Sequence, residues 1–335
     1  MVMHEGKLIS REKIIVVILF FLLLPLILYL VGVKEPTHWV DYQVYYGYYF
    51  LSAKYTSTLD IISSMQDPLF VLLNKPFTEV DDGFFYFLLI VSFITITLKF
   101  SAFLKATNNY LIFFILYCCY FICIHDYIQI RISLSLAIMV FAIYRVNFKW
   151  LKYPLLIVAM LVHLSSSVVL IAYLYSLITK NKPRYFLGFL CVLTFLVVLM
   201  KLGLIGGERV QNYAEMASQK IKYESLNIFG ALPALQLMGL FYLLYKEKYK
   251  AINFEYYISL LGVFVFYSMN SIPVVASRTF DISLLFYIII VSKYFKKYLF
   301  IKGVFVLLVL FELKQLFYSE ASFLHFATES FLSYF

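Results

Sequence analysis

The sequence predicts an all-α, polytopic membrane protein, and three observations carry that prediction. Hydrophobic residues make up 63% of the chain and charged residues only 14%, which is too little charge for the surface of a soluble protein of this length. Apolar runs long enough to form membrane helices recur from one end to the other, joined by short polar segments. Basic residues also collect in alternate connecting segments, which is the pattern of loops on the cytoplasmic side of a membrane.

The apolar runs account for most of the chain, and no segment between them is a linker rich in Pro, Gly or Ser. The composition does not shift along the sequence, so we expect a single integral membrane domain over residues 1–335. The first run is long and lacks the small-residue cleavage pattern of a signal peptide, which predicts an uncleaved membrane helix. The runs are 14–31, 84–104, 111–124, 132–143, 153–178, 185–200, 229–245, 256–269, 280–291 and 299–317.

The run at 153–178 is a predicted hairpin. Basic segments lie at both of its ends, so it must enter the membrane and return on the same side. His163 and the serines at 165–167 interrupt it, which predicts two short helices that meet at a break near the outer half of the membrane. Polar groups at that depth survive only when they are buried in protein or wetted by a cavity. Counting both halves of the hairpin, the sequence predicts about eleven helical segments.

The distribution of charge sets the predicted orientation. Most Lys and Arg residues lie on the face that includes the N-terminus and the turn at Lys99 and Lys105, whereas acidic residues prevail on the other face. The N-terminus is therefore expected in the cytoplasm and the C-terminus outside. The basic residues assigned to the cytoplasmic face account for the formal net charge of +9, so this charge does not indicate a nucleic-acid partner. Two outer loops are long, at 32–83 and 201–228, and helical spacing in the second predicts an amphipathic helix.

Several short motifs follow one another along the outer loops and the ends of the apolar runs. They are Asp41, Tyr45 and Tyr49; Asp67, Pro68, Phe70 and Asn74; Gln129 and Arg131; His163 and Ser165; Arg209 and Tyr213; and Arg278. In this order, and over most of the chain, they resemble the EpsG-type members of the Wzy-like polysaccharide polymerases.

That resemblance implies a GT-C-like arrangement of membrane helices in an enzyme of the bacterial inner membrane. The implied reaction transfers a growing glycan from undecaprenyl diphosphate to a hydroxyl of the next lipid-linked repeat unit. It would take place at the face toward the periplasm or exterior and would extend O-antigen or capsule. The implied partners are the lipid-linked oligosaccharide, membrane lipid, a chain-length regulator and a flippase, and no cofactor is implied.

Arginines on the outer face are the candidates for holding the leaving group. A lipid diphosphate leaves with the negative charge of two phosphoryl groups, and a guanidinium stays charged and binds phosphate through two parallel N–H groups. Fixed donors placed where charge develops commonly make the largest catalytic contribution. We therefore expect Arg131, Arg278 and Arg209 to bind the diphosphate, and this scheme requires no metal ion.

Attack by a sugar hydroxyl is assisted by a titratable group that accepts its proton. His163, Asp41 and Asp67 are the candidates for this catalytic base. We favour His163, because a histidine beside a helix break inside the membrane is costly without a role. The residues assigned to contact the glycan are Tyr45, Tyr49, Asn74 and Tyr213.

Structural roles compete with these assignments. Arg131 could pair with Asp126 and Arg278 with Asp281, while His163 could be a buried hydrogen-bonding residue that stabilises the break. An interfacial aromatic belt would explain the tyrosines of the first outer loop equally well. Two other functions also stay open: another lipid-linked glycosyltransferase or glycan ligase, and a transporter (flippase) of lipid-linked sugars. Irregular outer loops and the lack of inverted internal repeats favour an enzyme.

Overall fold

The computed structural model describes residues 3–4, 7–8, 10–32, 41–55, 57–64, 67–179, 185–202, 204, 215 and 229–318. Within these residues the chain is helical, apart from a two-residue antiparallel pair of Met3–His4 with Lys7–Leu8. The helical fold class is therefore confirmed. The α-helices are α1 (Arg11–Gly32), α2 (Tyr42–Lys54), α3 (Thr58–Ser64), α4 (Pro68–Asn74), α5 (Gly83–Ala106), α6 (Tyr110–Leu116), α7 (Ile130–Tyr144), α8 (Lys149–Val162), α9 (Ser167–Thr179), α10 (Phe186–Lys201), α11 (Ala231–Glu247), α12 (Phe254–Ser268), α13 (Pro273–Tyr294) and α14 (Leu299–Tyr318).

Three helices in the described part of the chain are long and apolar enough to cross a membrane: α1 through Arg11–Tyr29, α5 and α13. At a rise of about 1.5 Å per residue, helices of this length match a hydrocarbon layer of about 30 Å. These helices are consistent with a membrane protein, whereas the GT-C-like arrangement and the single domain stay predictions. Shorter apolar helices lie at Tyr110–Ile122, Ile130–Tyr144, Leu164–Thr179, Phe186–Lys201 and Phe254–Ser268.

Each predicted apolar run falls on a helix, and the break inside 153–178 is confirmed. The helix α8 ends at Val162, a 3-10 turn follows at Leu164–Ser166, and α9 begins at Ser167. In the run at 111–124, α6 continues as a π-helix over Tyr117–Asp126. A segment of this kind is rare and is frequent at functional sites.

The first outer loop differs from its prediction, because it is not irregular. Its described residues form α2, α3 and α4. On α2, Tyr45 and Ser52 are buried at a spacing that places them on one side of the helix, so the segment can pack against the rest of the protein. The amphipathic helix predicted in the second outer loop lies almost entirely outside the described residues.

The chain separates into two compact units. The first consists of Met1–Ser166, Phe295–Lys297 and Phe305–Phe335, and the second of Ser167–Tyr294 and Tyr298–Val304. In the first unit, α7 packs against both α5 and α8, while α4 packs against α2 and α8. An apolar cluster from these five helices includes Phe70, Phe87 and Val162.

The second unit is organised around α12 and α13, which pack closely along their lengths. Gly262 permits this approach, because a Cβ atom at that position would come within 1.9 Å of the Ser283 Oγ atom. Gln236 of α11 completes the contact, since its side-chain amide donates to the Ser259 carbonyl at 2.9 Å and to the Ser283 hydroxyl at 3.1 Å. The contact between α12 and α13 is thus made by small residues and neutral hydrogen bonds.

Candidate active site

Asp67 is the central residue of the candidate site. Pro68 follows it at the first position of α4, where the fixed φ of proline suits the start of a helix and the missing N–H removes no helical bond. Asp67 therefore stands at the N-cap, yet its carboxylate makes no capping bond to α4. The carboxylate is fully buried and bonds instead to two side chains from distant parts of the sequence.

Arg131 supplies the first of these partners. It lies in the first turn of α7, where a positive charge is disfavoured by the helix dipole and needs a compensating anion. Its Nη1 atom donates to Asp67 Oδ2 at 2.6 Å and to the Tyr48 hydroxyl at 2.6 Å. The guanidinium also lies over the rings of Tyr48 and Tyr45, at 4.4 and 5.4 Å from their centroids. Arg131 is thus a buried cation held by one carboxylate and two aromatic rings.

His163 supplies the second partner from the break that follows α8. Its backbone is extended, and its carbonyl accepts from the Ser166 hydroxyl at 3.0 Å and from the Ser135 hydroxyl at 3.3 Å. Ser135 also donates to the Ala159 carbonyl at 2.6 Å. Both carbonyls also accept from backbone N–H groups, so the carbonyls of Ala159 and His163 beside the break are satisfied, as buried backbone groups require. The break leaves the His163 ring buried, with Nδ1 at 3.0 Å from Asp67 Oδ1.

Asp67, Arg131 and His163 form a group of contacts suited to proton transfer. We call this group the Asp67 cluster. Because a carboxylate accepts at Nδ1, the proton of a neutral His163 ring belongs on that atom, which leaves Nε2 as the acceptor. The Ser165 hydroxyl lies 3.3 Å from Nε2, on the side where a substrate hydroxyl would have to approach. The Nε atom of Arg131 is buried and has no hydrogen-bond partner among the described residues. The cluster therefore contains an imidazole beside a carboxylate and a guanidinium whose Nε atom has no hydrogen-bond partner among the described residues.

Asp41 and Tyr45 occupy the start of α2. Burial raises the pKa of the Tyr45 hydroxyl, the charge of Arg131 opposes this shift and the charge of Asp41 adds to it, so that the pKa lies at about 12. Tyr45 is therefore a neutral ring at ordinary pH, and it packs on Arg131 rather than facing solvent. Asp41 is half-buried at the N-cap of α2.

The residues assigned to the glycan have different surroundings. Tyr49 is half-buried, and its hydroxyl donates to the Phe77 carbonyl at 3.0 Å. Asn74 is fully buried, and its amide donates to the Phe70 carbonyl of its own helix at 2.8 Å. Since Tyr45 is also buried, Tyr49 is the one described member of the set that has surface available for a ligand.

The remaining predicted residues cannot be placed in the Asp67 cluster. Arg209 and Tyr213 lie outside the described residues. Arg278 belongs to the second unit, in the second turn of α13, where it is half-buried. Its role in binding a diphosphate stays a prediction.

A second buried ionic cluster lies in the first unit, and sequence reasoning missed it. Lys99 of α5 pairs with Asp126 at the end of the π-helix, and both are buried. Lys99 also donates to the Ser133 hydroxyl at 2.7 Å, while the Tyr117 hydroxyl donates to Asp126 at 2.6 Å. The pairing of Asp126 with Arg131, which was the competing structural role for this arginine, is therefore wrong. The sequence also placed Lys99 in a turn of the cytoplasmic face, whereas the structure places it within α5 with a buried side chain.

One signal in the sequence could have found this pair. A lysine and an aspartate in neighbouring apolar runs are each costly in a membrane, so they are expected to pair with each other.

The four cysteines offered no comparable signal. Among the described residues, no three His, Cys, Asp or Glu side chains lie together in a way that could hold a metal ion.

Comparison with known proteins bears on the whole chain. The EpsG family model matches residues 17–335. Neither a curated protein nor a solved structure matches the sequence. The match includes both units and every residue of the Asp67 cluster, so the chain belongs to the EpsG family, which is of the Wzy-like polysaccharide polymerase type.

Proposed function

We propose that this protein is a polysaccharide polymerase that transfers a growing glycan from undecaprenyl diphosphate to a hydroxyl of the next lipid-linked repeat unit. The acceptor oxygen attacks the anomeric carbon of the donor. The bond from that carbon to the diphosphate oxygen breaks, and undecaprenyl diphosphate leaves with the bonding electrons. The proton of the acceptor hydroxyl passes to Nε2 of His163.

The observation that carries this proposal is the pairing of His163 with Asp67 at 3.0 Å. The buried carboxylate orients the ring and stabilises the imidazolium that forms when Nε2 takes the proton. The same carboxylate pairs with Arg131, so the base and the cation are fixed relative to each other by one group. Preorganised groups of this kind need little rearrangement during the reaction.

Arg131 has the second role, at the leaving group. Its Nη1 atom is already used by Asp67 and Tyr48, whereas its buried Nε atom has no partner among the described residues. We propose that the N–H group at Nε donates to a diphosphate oxygen and does so in place of a metal ion. Asp67 balances much of the Arg131 charge, so a second cation is needed, and Arg278 and Arg209 stay our candidates for it.

The proposed setting is the bacterial cytoplasmic membrane, with the N-terminus inside and the Asp67 cluster toward the periplasm or exterior. The excess of basic residues in the segments assigned to the cytoplasm supports this orientation. The proposed partners are the lipid-linked oligosaccharide, membrane lipid, a chain-length regulator and a flippase. The product would be O-antigen, capsule or another exopolysaccharide.

The test of the mechanism is His163→Gln in reconstituted polymerisation of a lipid-linked repeat unit. Gln retains a side-chain donor toward Asp67 but cannot accept the proton, so turnover should fall by about 10²- to 10⁴-fold. His125→Gln is the matched control, because it removes another buried imidazole of the first unit. The control should keep turnover within about threefold of wild type. Near-normal turnover of the His163 variant would move the base to Asp41 or Asp67.

The class of function is tested in cells that lack the gene. Surface glycan reduced to single repeat units supports a polymerase. Absence of surface glycan would identify a flippase, and long glycan that remains lipid-linked would identify a ligase. Either of these two results would overturn the proposal.

A further inference from the structure

A cleft of about 330 Å³ lies in the first unit, where α2 meets the turn that precedes α5. Its volume is within the range of small-ligand pockets. No residue of the Asp67 cluster lines it. We call it the aromatic cleft, and its main lining residues are Tyr42, Tyr46, Tyr49, Asp82, Phe84 and Phe85.

The tyrosines of the cleft form a continuous row along α2. The rings of Tyr42 and Tyr46 are 5.8 Å apart and nearly parallel, and those of Tyr46 and Tyr49 are 6.1 Å apart at 27°. Phe84 contacts all three, with centroid distances of 5.3 to 5.5 Å. Phe84 is buried while Tyr46 is 44% exposed. The row of tyrosines therefore packs on the protein interior at one side and is open to solvent at the other.

The opposite wall is held in place by its backbone. Asp82 has a φ of 55°, a left-handed conformation that Asp tolerates better than most residues. Gly83 lies so close to Phe77 that an added Cβ atom would be 1.8 Å from the Phe77 carbonyl oxygen. The Tyr49 hydroxyl donates to the same carbonyl at 3.0 Å and ties α2 to this turn. The cleft is therefore preformed, which lowers the entropic cost of binding.

We propose that the aromatic cleft binds the sugar rings of the glycan substrate. A pyranose ring presents apolar C–H groups on its faces and hydroxyls around its rim. The flat faces of the tyrosines match the C–H groups, while the tyrosine hydroxyls and the Asp82 carboxylate match the hydroxyls. A hydrocarbon ligand would leave that carboxylate desolvated and unpaired, which is costly.

The charge of the cleft also selects among sugars. Asp82 lines it, and Glu79 and Asp81 are exposed in the same turn. Three carboxylates so close together repel uronic acids and phosphorylated sugars. We therefore expect the sugars bound here to carry no negative charge.

This inference rests on the proposed polymerase function and adds the position of the glycan. Tyr42, Tyr46 and Tyr49 occupy one face of α2, and Tyr45 and Tyr48, which contact Arg131, occupy the adjacent face. The aromatic cleft and the Asp67 cluster thus share one helix as a wall. A glycan held in the cleft would have its chain positioned beside the residues proposed for catalysis.

The test compares two tyrosines of equal exposure. Tyr46→Leu keeps apolar volume against Phe84 but removes the flat ring, and Tyr86→Leu does the same outside the cleft, where Tyr86 is 46% exposed. Both full-length variants are reconstituted with the lipid-linked repeat unit purified from cells that lack the gene. Tyr46→Leu should raise the KM for this substrate about 3- to 10-fold and shorten the polymer on a gel. Tyr86→Leu should stay within about twofold of wild type.

The outcomes separate the cleft from the function. If cells lacking the gene still make full-length polymer, the proposed function falls, and the glycan assignment falls with it. If those cells make single repeats but Tyr46→Leu has the KM of wild type, only the cleft assignment is overturned. A repeat unit composed mainly of uronic acids would also overturn it. Should Tyr46→Leu fail to accumulate, Asp82→Asn replaces it, and an unchanged KM in that variant counts against the cleft.

Discussion

The first unit buries several charged side chains, whereas the buried polar side chains described in the second unit are mostly neutral. The first unit buries the Asp67 cluster and the Lys99–Asp126 pair. In the second unit, Gln236 bonds to Ser259 and Ser283. Its buried acid, Glu255, pairs at 2.6 Å with Lys293, which is 29% exposed and so reaches water. The interior of the first unit therefore contains ion pairs, whereas neutral hydrogen bonds prevail in the interior of the second.

The physical costs of these two interiors are unequal. Removing a charge from water costs several kcal/mol, and a buried pair often contributes little net stability compared with apolar residues of the same size. Neutral amides and hydroxyls cost less and are satisfied by single hydrogen bonds. Ionic groups deep in a membrane protein therefore indicate function more strongly than buried amides do. This reasoning favours the first unit as the site of chemistry.

The largest expected effect comes from breaking the second ionic cluster. Lys99→Met leaves the Asp126 charge buried without its cation, which should lower the free energy of unfolding by about 3–5 kcal/mol. Gln236→Met in the second unit removes only neutral bonds and should cost about 1–3 kcal/mol. Denaturation in mixed detergent micelles measures both. Combining Lys99→Met with Asp126→Asn should recover most of the loss, and equal costs in the two units would contradict the comparison.

The next largest effect is a loss of polymerisation rate, and it distinguishes the arginines at the two ends of α7. Arg131→Lys keeps the charge beside Asp67 but loses the planar group that stacks on Tyr48, and we expect polymerisation to slow by about 10- to 100-fold. Arg145, at the other end of α7, donates from Nε to the Ser101 carbonyl at 2.6 Å. Arg145→Lys should therefore stay within about twofold of wild type. The rates are compared at equal amounts of reconstituted protein, and similar losses in both variants would remove Arg131 from the site.

The smallest expected effect concerns Ser165. Its hydroxyl is 3.3 Å from His163 Nε2, so it occupies the place proposed for the acceptor hydroxyl without taking part in the transfer. Ser165→Ala should change the rate by less than about threefold. A loss of more than about 100-fold, together with a glycosylated protein detected by mass spectrometry, would instead identify Ser165 as a covalent nucleophile.

The sequence by itself determined the helices of the apolar runs, the break at His163 and the residues worth testing. Apolar runs and interruptions are local features, because a membrane helix satisfies its backbone within its own segment. The three helices of the first outer loop were missed, since α3 and α4 have only seven residues each and the tyrosines of α2 also suit an interfacial belt.

Only the tertiary structure decided which charges meet. Asp67 lies 64 residues before Arg131 and 96 residues before His163, and the packing of α4 against α8 and of α7 against α8 brings the three together. The sequence offered Asp126, not Asp67, as a partner for Arg131, because charge type and helical spacing do not encode which helices become neighbours. Buried ions must find partners, but the identity of each partner depends on side-chain packing between helices, which is a long-range property of the fold.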